Sequence, residues 1–221
     1  MPFFQQQFIN FFKGLSENNS KEWFDTNRKT YEKFVKSPFR QFVDHMILRI
    51  QEFEPDLVTT AKESVFRINR DIRFSKDKTP YKTHVSAVLG RGGKKSADPA
   101  YYFQFNHQQV MVGGGAYFLE KDDLYKVRQE IAYETEIFNQ LLANPDFKKA
   151  YGEVLGDRNK VLPAEFKEDR ERQPLIANKQ FYYMAELPAS TLLAPDLDEQ
   201  LLRYFKTAAP LNAFFRHALK G

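Results

Sequence analysis

Phe66-Arg67-Ile68-Asn69-Arg70-Asp71-Ile72-Arg73-Phe74 alternates in character: Phe66, Ile68, Ile72 and Phe74 share one parity, and Arg67, Asn69, Asp71 and Arg73 the other. Successive side chains of a strand point to opposite faces, so this period of two predicts a half-buried strand. Upstream the period is helical. Phe3, Phe4, Phe8, Phe11, Phe12 and Leu15 recur at helical spacing, and Gly14 with Asn18-Asn19-Ser20 supplies a stop and the next cap. A second helix is expected over 20–35. Pro38 then opens a third, whose apolar stripe is Phe39, Phe42, Val43, Met46, Ile47, Ile50 and Phe53.

Downstream, 84–89, 101–105 and 110–118 read as further strands, the last two joined across 106–109 as a hairpin. The helical period returns from Asp122, taken as a cap, and Pro145 opens another short helix. Residues 156–178 are charged and Pro-containing, which suits an irregular connection. One more strand is expected over 181–187, then a closing helix over 195–219 interrupted at Pro210. Helices, then strands, then helices with a late strand predict an α+β fold, an antiparallel sheet packed against N-terminal and C-terminal helices, in a single domain over 1–221.

Composition bounds the partners. With 22 Phe and 11 Tyr, the core is expected to be aromatic. The chain has no Cys, which removes disulfides and thiolate chemistry and suits a reducing compartment. The opening residues interrupt their apolar run with Gln and lack a basic leader, and no window approaches a membrane span. A cytoplasmic location without a membrane partner is therefore expected. Net charge is +4, and Arg67 to Lys82 alone holds six cations against two carboxylates, so the rest of the chain sums to zero.

That segment admits a functional and a structural reading. Arg forks at fixed spacing can hold a carboxylate or phosphate bidentately, with Lys78 and Lys82 on the following turn. On a solvated strand face the same residues would form weak cross-strand pairs. Arg70 sharpens the choice, because on a regular strand it shares parity with the apolar residues. Arginine is rarely buried without a partner. Either a carboxylate from a packed helix meets it, with Glu22 and Asp25 as candidates, or 69–71 form a bulge that turns it outward.

Arg67, Arg70, Asp71, Arg73, Phe74, Lys78, Pro80 and Tyr81 make the pattern Arg-x-x-Arg-Asp-x-Arg-Phe-x-x-x-Lys-x-Pro-Tyr. This long pattern resembles the signature of the bacterial family called domain of unknown function 2461. Looser likenesses are Asn18-Asn19 before Glu22-Trp23-Phe24, and Gly113-Gly114-Gly115 before the helix near Asp122. Residues 160–174 match least. The family has no established activity, so the resemblance implies a unit without implying a reaction.

Other signals are weaker. The glycine triplet precedes an acidic helix start, which argues for a backbone role over a phosphate cradle. Arg91-Gly92-Gly93-Lys94-Lys95 reads as a mobile basic hairpin tip. The four His show no zinc spacing, so no metal or cofactor is expected, although His84 could carry a proton near Asp71. The leading functional reading is an anionic small molecule held by Arg67, Arg70, Arg73, Lys78 and Lys82. In it Asp71 orients an arginine or acts as base, and Tyr81 donates a hydrogen bond. A nucleic-acid or phosphoprotein module is the second reading, and a purely structural Arg/Asp cluster is the third. Enzymatic activity and oligomeric state stay open.

Overall fold

The computed structural model describes residues 2–220. Helix α1, Gln6–Glu17, buries Phe8, Phe11, Phe12 and Leu15. Ser20 caps α2, Lys21–Thr26, by accepting from the Trp23 amide at 3.2 Å, as the Asn-Asn-Ser cluster predicts. The helix expected over 20–35 does not run straight. It breaks at Asn27 into α3, Arg28–Tyr31, widens into a π turn at Glu32–Lys36, and continues as α4, Ser37–Gln51. The widened turn lies directly before Pro38, where proline removes a donor from the ladder. Thr60 caps the short α5, Ala61–Ser64.

Four strands form one antiparallel sheet in the order β1, Val85–Leu89; β2, Ala100–Phe105; β3, Gln109–Ala116; and β4, Phe181–Pro188. The β2–β3 hairpin closes where expected, the Asn106 carboxamide oxygen accepting from the amides of Gln108 and Gln109 at 2.7 and 2.8 Å. The chain is α+β.

The strand read over 66–74 is a correction. Only isolated antiparallel bridges form there, Val65 to Ala87 and Asn69 to Tyr81. Arg70 still donates its amide to the Pro80 carbonyl at 2.9 Å, but Pro80 has no N–H to continue the ladder. Beyond it Asp71 and Asp77 bond to backbone amides two residues on, turns that compete with a strand. Parity fails accordingly: Ile68 is 8% exposed and Phe74 is 95% exposed.

The chain divides into two compact units. One comprises the residues up to Leu89, Tyr102–Val112 and Glu186–Leu202. Its core is aromatic, with Phe42 packed against both Phe103 and Phe105 at 5.6 Å between ring centroids and Phe39 against the same pair. The other comprises Gly90–Tyr101, Gly113–Ala185 and the residues from Arg203 onward. It holds α6, Lys121–Tyr133; α7, Thr135–Ala143; α8, Pro145–Tyr151; and the short α9, Asp169–Arg172. Asp122 lies in the first turn of α6, and Glu120 takes the cap position expected for it. Buried Arg128 pins the irregular stretch after α9, donating to the carbonyls of Ile176 and Asn178 at 2.9 and 3.1 Å.

The glycines of β3 are backbone devices. A Cβ on Gly114 would lie 2.2 Å from the Ala100 carbonyl oxygen, and Gly115 adopts φ +120°. The last helix, α10, Leu197–Lys220, corrects a second expectation, because it runs through Pro210 without interruption. Ala208, Leu211, Phe214 and Phe215 are all buried around the proline, and that packing offsets the missing backbone bond.

Candidate anion-binding site

The site grows from a short ribbon. Residues 65–70 run against 80–87, joined by Phe66 N to Ser86 O at 3.0 Å, Lys82 N to Ile68 O at 2.8 Å, and the Arg70–Pro80 bond. Asn19, at the end of the α1–α2 connection, holds this ribbon to the helices. Its amide donates to the Tyr81 carbonyl at 2.9 Å and its oxygen accepts from the Tyr81 amide at 3.1 Å. Tyr81 is buried and stacks on Phe24, centroids 4.0 Å apart and planes 15° from parallel. The Arg28 guanidinium lies 5.4 Å from the Phe24 ring centroid.

The loop of residues 71–79 is closed from within. Arg70 bonds to Asp77, to the hydroxyl and carbonyl of Thr79, and to the Ser75 hydroxyl. The partner is thus neither Glu22 nor Asp25; Asp25 pairs with Lys21 and Arg28 instead. Asp71 accepts bidentately from Arg73 at 3.0 and 2.7 Å. Lys78 donates to the Ile72 carbonyl at 2.9 Å, and the Lys82 ammonium sits 5.1 Å from the Phe66 ring centroid. Hydrogen bonds from the Thr79 backbone and hydroxyl, then from Arg70, bring the Asp77 carboxyl down to about 2. Asp71 is likewise lowered, chiefly by the Arg73 side chain, so it orients that arginine and is a weak base at neutral pH.

A pocket of about 320 Å³ opens beside the ribbon, not in the loop. Arg28, Lys36, Arg40, Lys62 and Arg67 border it, with Glu32 as the one carboxylate and Tyr31, Phe24, Phe66 and Tyr81 as aromatic walls. Of the residues singled out in the sequence, Arg67 and Tyr81 line it; Arg70, Asp71, Arg73, Lys78 and Lys82 lie outside its lining. Arg28 is engaged by Asp25, and Lys36 by Glu32 at 2.7 Å. Arg40 and Arg67 are exposed and form no ion pair among the described residues.

Sequence reasoning missed the helical half of this pocket. Its signal was a charged residue at every fourth position, Arg28, Glu32, Lys36 and Arg40, which is easily read as a solvated helix face. On an α-helix of 3.6 residues per turn, residues four apart drift steadily round the axis. The wider π turn drifts the opposite way, and the four side chains reach one pocket.

Protonation favours donors there. Burial, followed by the nearby Glu32, pushes the Tyr31 hydroxyl up to about 12, so it stays protonated through the physiological range. His84 is brought down to about 4 by burial and then by Lys82, which leaves it poorly tuned for proton transfer near neutrality. Among the described residues no three His, Cys, Asp or Glu side chains cluster as a metal site, and no helix is long and apolar enough to cross a membrane.

Fold and site thus define an α+β protein with a basic, aromatic-walled pocket beside a clamped ribbon. The chain belongs to the family described as "Conserved hypothetical protein (DUF2461)", which it matches over residues 7–214. No curated protein matches it.

Proposed function

We propose that this protein binds a small anionic molecule, phosphate- or carboxylate-bearing, in the pocket formed by α3, the π turn, α4, α5 and the ribbon. One observation carries the reading: five cations surround the pocket against a lone carboxylate, and two of the guanidiniums, Arg40 and Arg67, form no ion pair among the described residues. An unpaired cation crowded by like charges is costly to hold, and an incoming anion relieves that cost. Arg forks suit bidentate oxyanions, and Tyr31 and Tyr81 add neutral donors. The pocket lies within the size range of small-molecule sites.

Ligand-induced stabilisation tests this. With inorganic phosphate at about a hundredfold excess over its Kd, linkage gives roughly 2.7 kcal/mol, or a Tm rise of about 5–10 °C. The rise should shrink in Arg67→Ala and persist in full in Arg73→Ala. No rise with phosphate or with carboxylates such as citrate, or a rise abolished only by Arg73→Ala, contradicts the proposal.

A further inference from the structure

The charges around this pocket are compensated selectively, and the selection bears on what the ligand carries. In the adjoining loop each arginine has its own carboxylate: Arg70 meets Asp77, and Arg73 meets Asp71. On the helical wall Arg28 has Asp25 and Lys36 has Glu32. The two guanidiniums that form no ion pair among the described residues, Arg40 on α4 and Arg67 on the ribbon, both border the pocket, and they enter it from separate elements. Tyr31, whose hydroxyl feels both Glu32 and Arg40, lies on the same wall.

From this we infer that the ligand carries two linked anionic groups, a diphosphate unit, each group held by one of these two guanidiniums. The inference rests on the proposed anion pocket and narrows its substrate class. One phosphate can bridge two arginine forks only where both converge on it; Arg40 and Arg67 enter from separate elements, α4 and the ribbon, and two linked phosphoryl groups give each fork its own pair of oxygens. Two phosphoryl groups joined through a bridging oxygen satisfy both and place their charge among Lys36, Lys62 and the Tyr31 hydroxyl. The aromatic walls of Phe24, Phe66 and Tyr81 offer apolar surface to whatever organic group the diphosphate bears. Arginine is suited to this duty, because its planar fork matches phosphate oxygens and it stays charged at any physiological pH.

Calorimetric titration of the full chain with pyrophosphate and, separately, with orthophosphate at about 0.15 M salt tests the inference, since such ionic strength screens diffuse attraction beyond roughly 8 Å. Pyrophosphate should bind at least about tenfold more tightly. Arg40→Ala and Arg67→Ala should each remove that advantage, bringing pyrophosphate to the level of orthophosphate, whereas Arg203→Ala, on α10, should leave it intact. Arg40→Lys and Arg67→Lys, which keep the charge and lose the fork, should recover only part of it and guard against a misfolded alanine variant. Equal affinity for the two anions, or an advantage untouched by both alanine variants, overturns the diphosphate inference and leaves simple anion binding standing. Binding of neither anion overturns both.

Discussion

Arg70 reaches Asp77, Ser75 and Thr79, all within its own loop, whereas Arg40 and Arg67 form no ion pair among the described residues. That contrast separates arginines that build the loop from arginines available to a ligand. The charge excess of 67–82 was legible in the sequence, and so was the need of Arg70 for a partner. The identity of the partner was not, because it sits seven residues away in a loop with no period to read, and parity assumed a strand that Pro80 interrupts. His84 allows a prediction at this scale. Its folded pKa of about 4 lies below the unfolded value near 6.5, so the native state binds fewer protons than the unfolded chain. The stability it contributes is therefore fully present above about pH 6.5 and is lost as pH falls through about 4. An NMR titration of the imidazole should show a midpoint near 4; a midpoint near 6.5 contradicts the burial argument.

Among the elements, the ribbon and the π turn matter most to the pocket. Asn19 makes both backbone hydrogen bonds of Tyr81, linking the α1–α2 connection to the ribbon. Each such bond contributes about 1 kcal/mol net, so Asn19→Ala should destabilise the protein by roughly 1–3 kcal/mol in denaturant unfolding. It should also weaken anion binding by freeing Tyr81. An unchanged midpoint would show that the clamp is dispensable. The cap at Ser20, the helix start at Pro145 and the β2–β3 hairpin were readable because their chemistry is local. Neither the π turn nor the passage of α10 through Pro210 was readable, since propensity marks both as breaks and tertiary burial decides otherwise. The Arg28, Glu32, Lys36, Arg40 spacing was visible, but its convergence depends on that π turn.

Across the whole molecule, the α+β class and the order of helices and strands followed from switches of hydrophobic period, which report burial along the entire chain. The site was half legible. Arg67 and Tyr81 belong to both the sequence signature and the pocket, while Arg28, Lys36, Arg40 and Lys62 come from helices outside the signature. Within 67–82, Asp77 pairs with Arg70 and Asp71 with Arg73, so the formal surplus sits on Arg67, Lys76, Lys78 and Lys82, of which Arg67 borders the pocket. The central claim is that anions bind at the pocket and not along the loop. Titration of isotope-labelled protein with inorganic phosphate, followed by amide and guanidinium chemical shifts, tests it most directly. Saturable shifts are expected at Tyr31, Lys36, Arg40, Arg67 and Tyr81, with the loop of residues 71–79 unmoved; saturable shifts centred on Arg73 and Lys78, or no saturable shifts anywhere, would contradict binding at the pocket.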